Sequence, residues 1–165
     1  MRNLMTQGWI AGCVLLAFQA AGCAIYTPVP AEYRYSDAGI AIPLPDDWLR
    51  YRPAKNAYVI TRDGLRLERI SIRFHQTEAQ LDGTERRFRK DSLPHELADI
   101  SLGLLAARRE IRNFQVESIR SATIADHAGF SADARLADEE GLPIRLRLTG
   151  ALIGDYVIEI EYARS

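Results

Sequence analysis

The sequence has few cysteines and few histidines, and these shortages bear on which sites it can form. Among 165 residues, cysteine occurs only at Cys13 and Cys23. The three histidines, His75, His95 and His127, have no histidine or cysteine three or four positions away. Because even a catalytic zinc site takes three protein ligands, we predict no metal site, and no other pattern indicates a cofactor.

An excess of charge of one sign is also missing. The chain has 21 lysines and arginines against 22 aspartates and glutamates, and its formal net charge is -1 at pH 7. Such a balance gives no general attraction to nucleic acid or to acidic membranes. We therefore expect no nucleic-acid partner, and any electrostatic binding must come from a local patch.

Catalytic motifs are equally scarce. No serine lies in a Gly-x-Ser-x-Gly turn, and Gly150-x-x-x-Gly154 lacks the Lys-Ser/Thr that completes a phosphate-binding loop. The adjacent carboxylates at positions 46–47 and 139–140 suit solvated turns. These observations predict that the protein is not an enzyme.

The first 22 residues resemble a secretory signal peptide. Arg2 supplies a positive charge, and the apolar run at 9–21 is short for a membrane span, which takes about 20 residues. Small residues at 20–22 lead directly to Cys23. This arrangement is similar to the lipobox of bacterial lipoproteins, and the resemblance implies cleavage before Cys23 and lipid attachment to its thiol.

Two alternatives remain for this segment, an ordinary signal peptide and an uncleaved anchor. A cysteine directly after the small residues favours lipidation, and two or more acyl chains give stable anchoring. Ala24 stands where enteric lipoproteins kept at the inner membrane have aspartate. By this resemblance we expect a protein of the bacterial cell envelope, lipid-anchored in the outer membrane and facing the periplasm.

The sequence divides into three parts. Residues 1–22 are the predicted lipoprotein signal peptide, residues 23–38 a polar, proline-containing segment predicted to be a flexible, lipid-anchored tether, and residues 39–165 a single domain. Cleavage would leave 143 residues, enough for one hydrophobic core. With Cys23 as its remaining cysteine, the mature chain cannot form an internal disulfide, so its core alone must stabilise the domain.

Alternating residues and turn signals predict strands in the first part of the domain. The predicted strands are residues 39–44, 57–61 and 65–74. The Asp63-Gly64 turn would join the last two as a hairpin. The apolar residues of 65–74 change phase, which predicts a bulge near positions 68–69.

A helical pattern then covers residues 93–112. Asp91 or Ser92 can cap its N-terminus, and Pro94 suits the first turn. Five residues at helical spacing predict one core-facing stripe: Leu97, Ile100, Leu104, Ala107 and Ile111.

Four more strands are predicted after the helix, at residues 114–125, 130–136, 142–148 and 156–162. The third carries Arg145 and Arg147 between its apolar residues, and the fourth carries Glu159 and Glu161 in the same way. Antiparallel pairing would place these opposite charges together on the solvent face. The order of elements predicts an α+β fold, a mainly antiparallel twisted sheet with one principal amphipathic helix packed on one face.

Several short motifs resemble a family of short, uncharacterised proteobacterial lipoproteins. They are Trp48, the Thr-Arg-Asp-Gly-Leu run at 61–65, the Arg-Phe-Arg run at 87–89, the helix from Pro94, the Gly-Phe pair at 129–130 and the strand at 156–162. The order of elements is also similar to the PsbP/Mog1-like fold, a twisted antiparallel sheet flanked by helices. Families with that fold mostly bind proteins or position complexes, so the resemblance implies no enzyme.

One basic run is a candidate interaction patch. Arg86, Arg87, Arg89 and Lys90 surround Phe88. Arginine suits phosphates and carboxylates through its planar fork, so the run could meet anionic lipid or an acidic envelope protein. The alternative is a solvated loop in which Phe88 fills the core.

Two functions therefore stay open at this point. The first is a membrane-anchored, non-catalytic envelope lipoprotein that binds or positions another envelope component. The alternative is a lipoprotein that binds a small ligand or lipid in an apolar pocket between helix and sheet. A cavity of ligand size would favour the alternative, whereas an exposed apolar or charged patch would favour the first.

Overall fold

The computed structural model describes residues 26–35, 39–51 and 57–165. Ten strands and one helix lie in these ranges. They are β1 (Tyr26–Pro28), β2 (Glu32–Tyr35), β3 (Ile40–Pro43), β4 (Leu49–Tyr51), β5 (Ala57–Thr61), β6 (Glu68–Gln76), α1 (Pro94–Ala106), β7 (Arg112–Ile124), β8 (His127–Ala137), β9 (Pro143–Ile153) and β10 (Tyr156–Arg164).

Eight of the strands form one sheet in the order β1-β4-β5-β6-β10-β9-β8-β7. Every pair of neighbours in it is antiparallel, and β2 and β3 form a separate antiparallel hairpin. The predicted fold class, an α+β domain with a mainly antiparallel sheet and one principal helix, is confirmed.

The two faces of the sheet are covered at different places. On one face α1 packs over β8 and β9, where Leu97 and Leu105 belong to the same buried cluster as Phe130. On the other face the β2–β3 hairpin packs over β5, β6 and β10, with the ring of Tyr33 4.0 Å from that of Tyr58. Most of the hairpin-side face on β7, β8 and β9 therefore has no second layer among the described residues.

The helix is shorter at its C-terminal end than the predicted range 93–112. It stops at Ala106, because the Arg108 N–H bonds to the Leu105 carbonyl at 3.2 Å and the chain turns out of the helix. At the other end the N-cap is Leu93, so neither predicted cap residue is used. The Leu93 N–H donates to the Glu96 side chain at 2.8 Å.

The core-facing side of α1 also differs from the prediction. Of the predicted stripe only Leu97 is fully buried; Ile100, Leu104 and Ile111 are partly buried at the edge of the core, and Ala107 is exposed. The predicted stripe is therefore right at Leu97 and partly right at Ile100 and Leu104, which pack against the edge of the core. It fails toward its end because the chain leaves the helix at Ala106. The fully buried positions are Leu97, Ala98, Ser101, Leu102 and Leu105.

The hairpin of β5 and β6 is confirmed, but the bulge near positions 68–69 is wrong. Residues 62–67 form a loop, in which the Leu67 N–H bonds to the Gly64 carbonyl at 3.0 Å. Gly64 has a φ of +102°, which favours glycine. The change of phase in the sequence therefore marks the start of β6 at Glu68 and not an irregularity within a strand.

The tether predicted for residues 23–38 is wrong over much of its length, since β1 and β2 lie inside it. Its tyrosines explain the difference. The ring of Tyr26 lies 5.6 Å from that of Tyr51 on β4, and Tyr33 packs on Tyr58 and Phe74. Aromatic contacts of this kind stabilise packing beyond the burial of area alone, and they join this segment to the domain.

Candidate binding surfaces

The predicted lipid attachment site, Cys23, lies outside the residues that the structure describes, as do the predicted signal peptide and Cys13. Within the described ranges, no helix has the length and apolarity needed to cross a membrane. The same ranges contain no group of three or more histidine, cysteine, aspartate or glutamate side chains arranged to hold a metal ion.

The predicted basic patch lies in the loop between β6 and α1, and all four of its cationic side chains are exposed. Three of them are paired: Arg86 with Asp99 at 3.3 Å, Arg89 with Asp91 at 3.1 Å and Lys90 with Asp155 at 2.7 Å. Arg87 has no ion-pair partner in the described part of the chain.

Phe88, in the middle of the basic run, is fully buried and belongs to the core under α1. The ring of His75 lies 5.4 Å from it. The loop is therefore fixed by its aromatic residue, and its cations project outward and are largely neutralised by neighbouring aspartates. This arrangement is the one that the solvated-loop alternative predicts.

A buried ionic cluster lies on the face of the sheet that α1 covers. Glu161 on β10 is 1% exposed and accepts hydrogen bonds from Arg73 at 2.8 Å, Arg108 at 3.0 Å and Arg69 at 3.3 Å. Burial works to raise the pKa of Glu161, but the charges of Arg73, Arg108 and Arg69 outweigh it and lower the pKa to about 2. Such a carboxylate is a poor proton acceptor near neutral pH, and it joins the turn that follows α1 to β6 and β10.

Glu159, two residues earlier on β10, has a different partner. Its Oε2 lies 3.1 Å from Nε2 of His75 on β6. Burial works to raise the pKa of Glu159, yet the contact with His75 and the charge of Arg73 hold it below its ordinary value. The Ser101 hydroxyl on α1 adds to this lowering although it forms no well-aligned hydrogen bond. The pair therefore joins β6 to β10.

The positions of these two glutamates differ from the charge pattern predicted for the last two strands. Glu161 lies opposite Leu148 on β9, whereas Arg147 lies opposite Tyr162. Directly opposed residues of an antiparallel pair share a face, so the glutamates point to the helix side and the arginines to the other side. The prediction that Arg145 and Arg147 face Glu159 and Glu161 is wrong, because it required a register shifted by one residue.

The arginines instead gather on the uncovered hairpin-side half of the sheet. We call this surface the arginine face, formed by Arg120, Arg135, Arg145, Arg147 and Arg164, all exposed. The residues of β8, β9 and β10 line a hollow of about 910 Å³ there. The strand register makes the row continuous, with Arg145 on β9 directly between Arg135 on β8 and Arg164 on β10.

Two carboxylates interrupt the arginine face. Asp133 accepts hydrogen-bonded ion pairs from Arg147 at 2.7 Å and Arg120 at 2.9 Å, and the bond from Arg147, with the charge of Arg120, holds the pKa of Asp133 below its usual range. Glu117 pairs with Arg135. Five cations against two anions leave an excess of positive charge, and such an exposed excess attracts anionic groups.

The interior beneath α1 is filled by side chains. Phe88 and Leu97 are fully buried there, Leu105 is 1% exposed, and all three belong to one cluster with the sheet. This packing gives no support to the apolar ligand pocket that the alternative function requires. The arginine face, by contrast, lines a hollow of about 910 Å³ and has an excess of positive charge.

Comparison with known proteins adds information on the fold. No protein-family model and no curated protein matches this sequence. The structure is similar to the solution structure of the cyanobacterial PsbP protein (CyanoP) from Synechocystis sp. PCC 6803, with a TM-score of 0.57, 10% identity, and coverage of 88% of this chain and 83% of that chain. A protein of unknown function from Pseudomonas aeruginosa is a weaker match, with a TM-score of 0.41, 18% identity and 81% of each chain covered. The fold is thus PsbP-like, as predicted, and the likeness concerns the fold alone.

Proposed function

We propose that this chain is a non-catalytic lipoprotein of the bacterial cell envelope, anchored through Cys23, that binds or positions another envelope component through its arginine face. The proposal includes membership of the short proteobacterial lipoproteins that its motifs resemble, and an outer-membrane location facing the periplasm. The lipobox-like segment before Cys23 supports the anchor.

The arginine face is the observation that carries the binding role. Antiparallel sheets commonly leave one face in solvent, and this one is distinguished by five arginines against two carboxylates. Four of its arginines belong to the inner strands β8, β9 and β10, so their backbone positions are set before any partner arrives. Pre-positioned groups lose less conformational entropy on binding.

Photo-crosslinking in intact cells tests this role. A photoreactive amino acid replaces Gln115, an exposed residue opposite Arg135 on the arginine face, and the matched control places it at His95, exposed on α1. We expect a discrete crosslinked species from position 115 and none from position 95. Equal labelling at both positions, or none at 115, would contradict the proposal.

The anchor is tested on the same protein extracted from membranes. Its intact mass should correspond to a chain that starts at residue 23 and carries acyl groups, and Cys23→Ser should release the protein from the membrane fraction. Cys13→Ser should leave the mature product unchanged. Recovery of an unmodified Cys23 in the soluble periplasm would exclude lipid anchoring.

A further inference from the structure

Two arginines of the arginine face have no carboxylate partner in the ranges that the structure describes. Arg145 and Arg164 lie directly opposite one another on β9 and β10. Glu68, opposite Arg164 on β6, pairs with Arg62 at 2.9 Å and accepts the Tyr162 hydroxyl at 2.6 Å, while Arg164 itself bonds to Tyr162 and not to Glu68. Like charges directly opposed across strands are destabilising, and an anionic group held between the two guanidiniums would remove that repulsion.

The arginine face is the floor of a recess. The β2–β3 hairpin covers the neighbouring part of the same sheet face. Tyr58, Ile72 and Ile160 lie beneath it and are directly opposed across β5, β6 and β10, so they share a face. Ile160 is in turn opposite Thr149 of β9, which places this face next to the arginine face. Stacked sheets lie about 10 Å apart, so the floor is about one layer below the top of the hairpin. A flat bilayer surface would meet the hairpin first, whereas a helix, about 10–12 Å wide, fits beside it.

The arginines already bind carboxylates from within the chain. Asp133 takes Arg147 and Arg120, and Glu117 takes Arg135, so the guanidinium forks in this hollow are positioned for the planar carboxyl group. Arg145 and Arg164 carry the same group on the same face, and an aspartate or glutamate from outside would supply the carboxylate that they lack.

The distance from the proposed anchor also favours a protein over lipid. Tyr26 at the start of β1 is the third residue after Cys23, and three residues span at most about 11 Å. The anchor would thus hold the β1 edge of the sheet beside the membrane. β10, β9, β8 and β7 are the fourth to seventh neighbours of β1, and at about 4.8 Å per strand they lie roughly 19 to 34 Å from that edge.

We infer that the arginine face receives an acidic segment of a partner protein, with a carboxylate bound between Arg145 and Arg164. This inference rests on the proposed function and names the partner's chemistry. The segment occupies the recess beside the hairpin and acts as the missing half of the second layer.

The test uses the full-length lipidated protein in a non-ionic detergent and a fluorescently labelled oligoglutamate peptide as the probe. Anisotropy should show binding that weakens as salt rises. The double variant Arg145→Gln/Arg164→Gln should weaken it about tenfold or more, since each lost ion pair removes a charge-assisted hydrogen bond. The matched control Arg86→Gln/Arg89→Gln, two exposed arginines of the basic run, should bind like the parent. Neither variant should melt at a lower temperature than the parent, because the first one only relieves repulsion between like charges.

A second arm replaces the peptide with vesicles of phosphatidylglycerol or of phosphatidylcholine. Binding to phosphatidylglycerol that requires Arg145 and Arg164, without binding to oligoglutamate, would overturn the inference in favour of lipid. Equal peptide affinity of the double variant and the parent would overturn it as well. If the peptide fails while the crosslink at position 115 persists, the inference alone fails; if both are absent, the proposed function fails with it.

Discussion

Arg108 and Glu161 are joined by a hydrogen bond of 3.0 Å that links the chain just beyond α1 to the central strand β10. The same carboxylate accepts Arg73 and Arg69 from β6. One buried anion therefore holds three segments that are far apart in sequence, and removing it would leave three guanidiniums facing each other. The stability of the domain should depend on its charge.

Acid should destabilise the protein in a defined window. The pKa of Glu161 is about 2 in the folded state, against 4.5 as its ordinary value. A group with a lowered folded pKa contributes its full stability above the unfolded value and loses it as pH falls through the folded one. We expect about 3 kcal/mol to be lost between roughly pH 4.5 and 2, measured by urea unfolding at a series of pH values.

Glu161→Gln tests the source of that dependence. Breaking a buried ion pair from one side costs about 3–5 kcal/mol, so the variant should be less stable at neutral pH. Its stability should also vary less with pH between 4.5 and 2 than that of the parent. The exposed Glu139 provides the control, since Glu139→Gln should leave both properties unchanged; an identical pH profile for Glu161→Gln would rule out this assignment.

Substitutions in α1 distinguish the observed core face from the predicted one. Leu105 is 1% exposed, whereas Leu104 lies only at the edge of the core. Leu105→Ala should lower the free energy of unfolding by about 2–5 kcal/mol, and Leu104→Ala should lower it by clearly less. Chemical denaturation of both variants decides the matter, and a larger effect at Leu104 would mean that the helix is rotated from the position described.

The pairing of β8 with β9 allows no side chain at Gly129. A Cβ there would lie 2.2 Å from the Gly150 carbonyl oxygen, a backbone atom that cannot move aside alone. Gly129→Ala should therefore destabilise the domain by about 1–3 kcal/mol, observed as a lower melting temperature. Thr123→Ala on the exposed edge strand β7 is the control, and an unchanged melting temperature for Gly129→Ala would show that the register differs.

The basic run should be dispensable for recognition. Arg87 and Arg89 are exposed, and Arg89 is paired with Asp91. Exposed pairs contribute about 0–1 kcal/mol, so Arg87→Glu/Arg89→Glu should leave the melting temperature nearly unchanged. It should also leave the crosslink at position 115 intact. Loss of that crosslink would return the basic run to consideration as a binding patch.

The sequence is most informative where a pattern is local. The strand at 57–61 is found with its bounds unchanged, because a run of apolar and β-branched residues there is followed directly by a turn. The helix start is signalled by Pro94 and Glu96, which act within one turn. The predicted fold class follows from such local signals and from the number of faces that one helix can cover.

The sequence is least informative where burial depends on distant residues. Glu159 and Glu161 alternate with apolar residues, so they look like the solvent side of β10. They are buried because Arg69, Arg73, His75 and Arg108 converge on them from other segments. No spacing in the sequence predicts that these side chains converge.

The arginine face was missed for a related reason. Arg145 and Arg147 were recognised as facing one side of their strand, but their neighbours follow from the register. The Arg145–Arg164 opposition joins residues 19 positions apart, and Arg135 completes the row from β8. Only Arg145 and Arg147 occupy alternate positions of one predicted strand, and Arg164 lies beyond the predicted strand at 156–162, so no simple sequence pattern identifies the whole set.

The short pairing of β1 has a mechanical consequence. β1 forms the outer edge of the sheet and pairs with β4 over three residues, from Tyr26 opposite Tyr51 to Pro28 opposite Leu49. Tension applied to the N-terminal end of the chain would therefore be borne first by this small ladder, while β5 to β10 keep their longer pairings. Under such tension β1 should detach from β4 first, which would lengthen the extended N-terminal segment. The strands that carry the arginine face should stay paired while this happens.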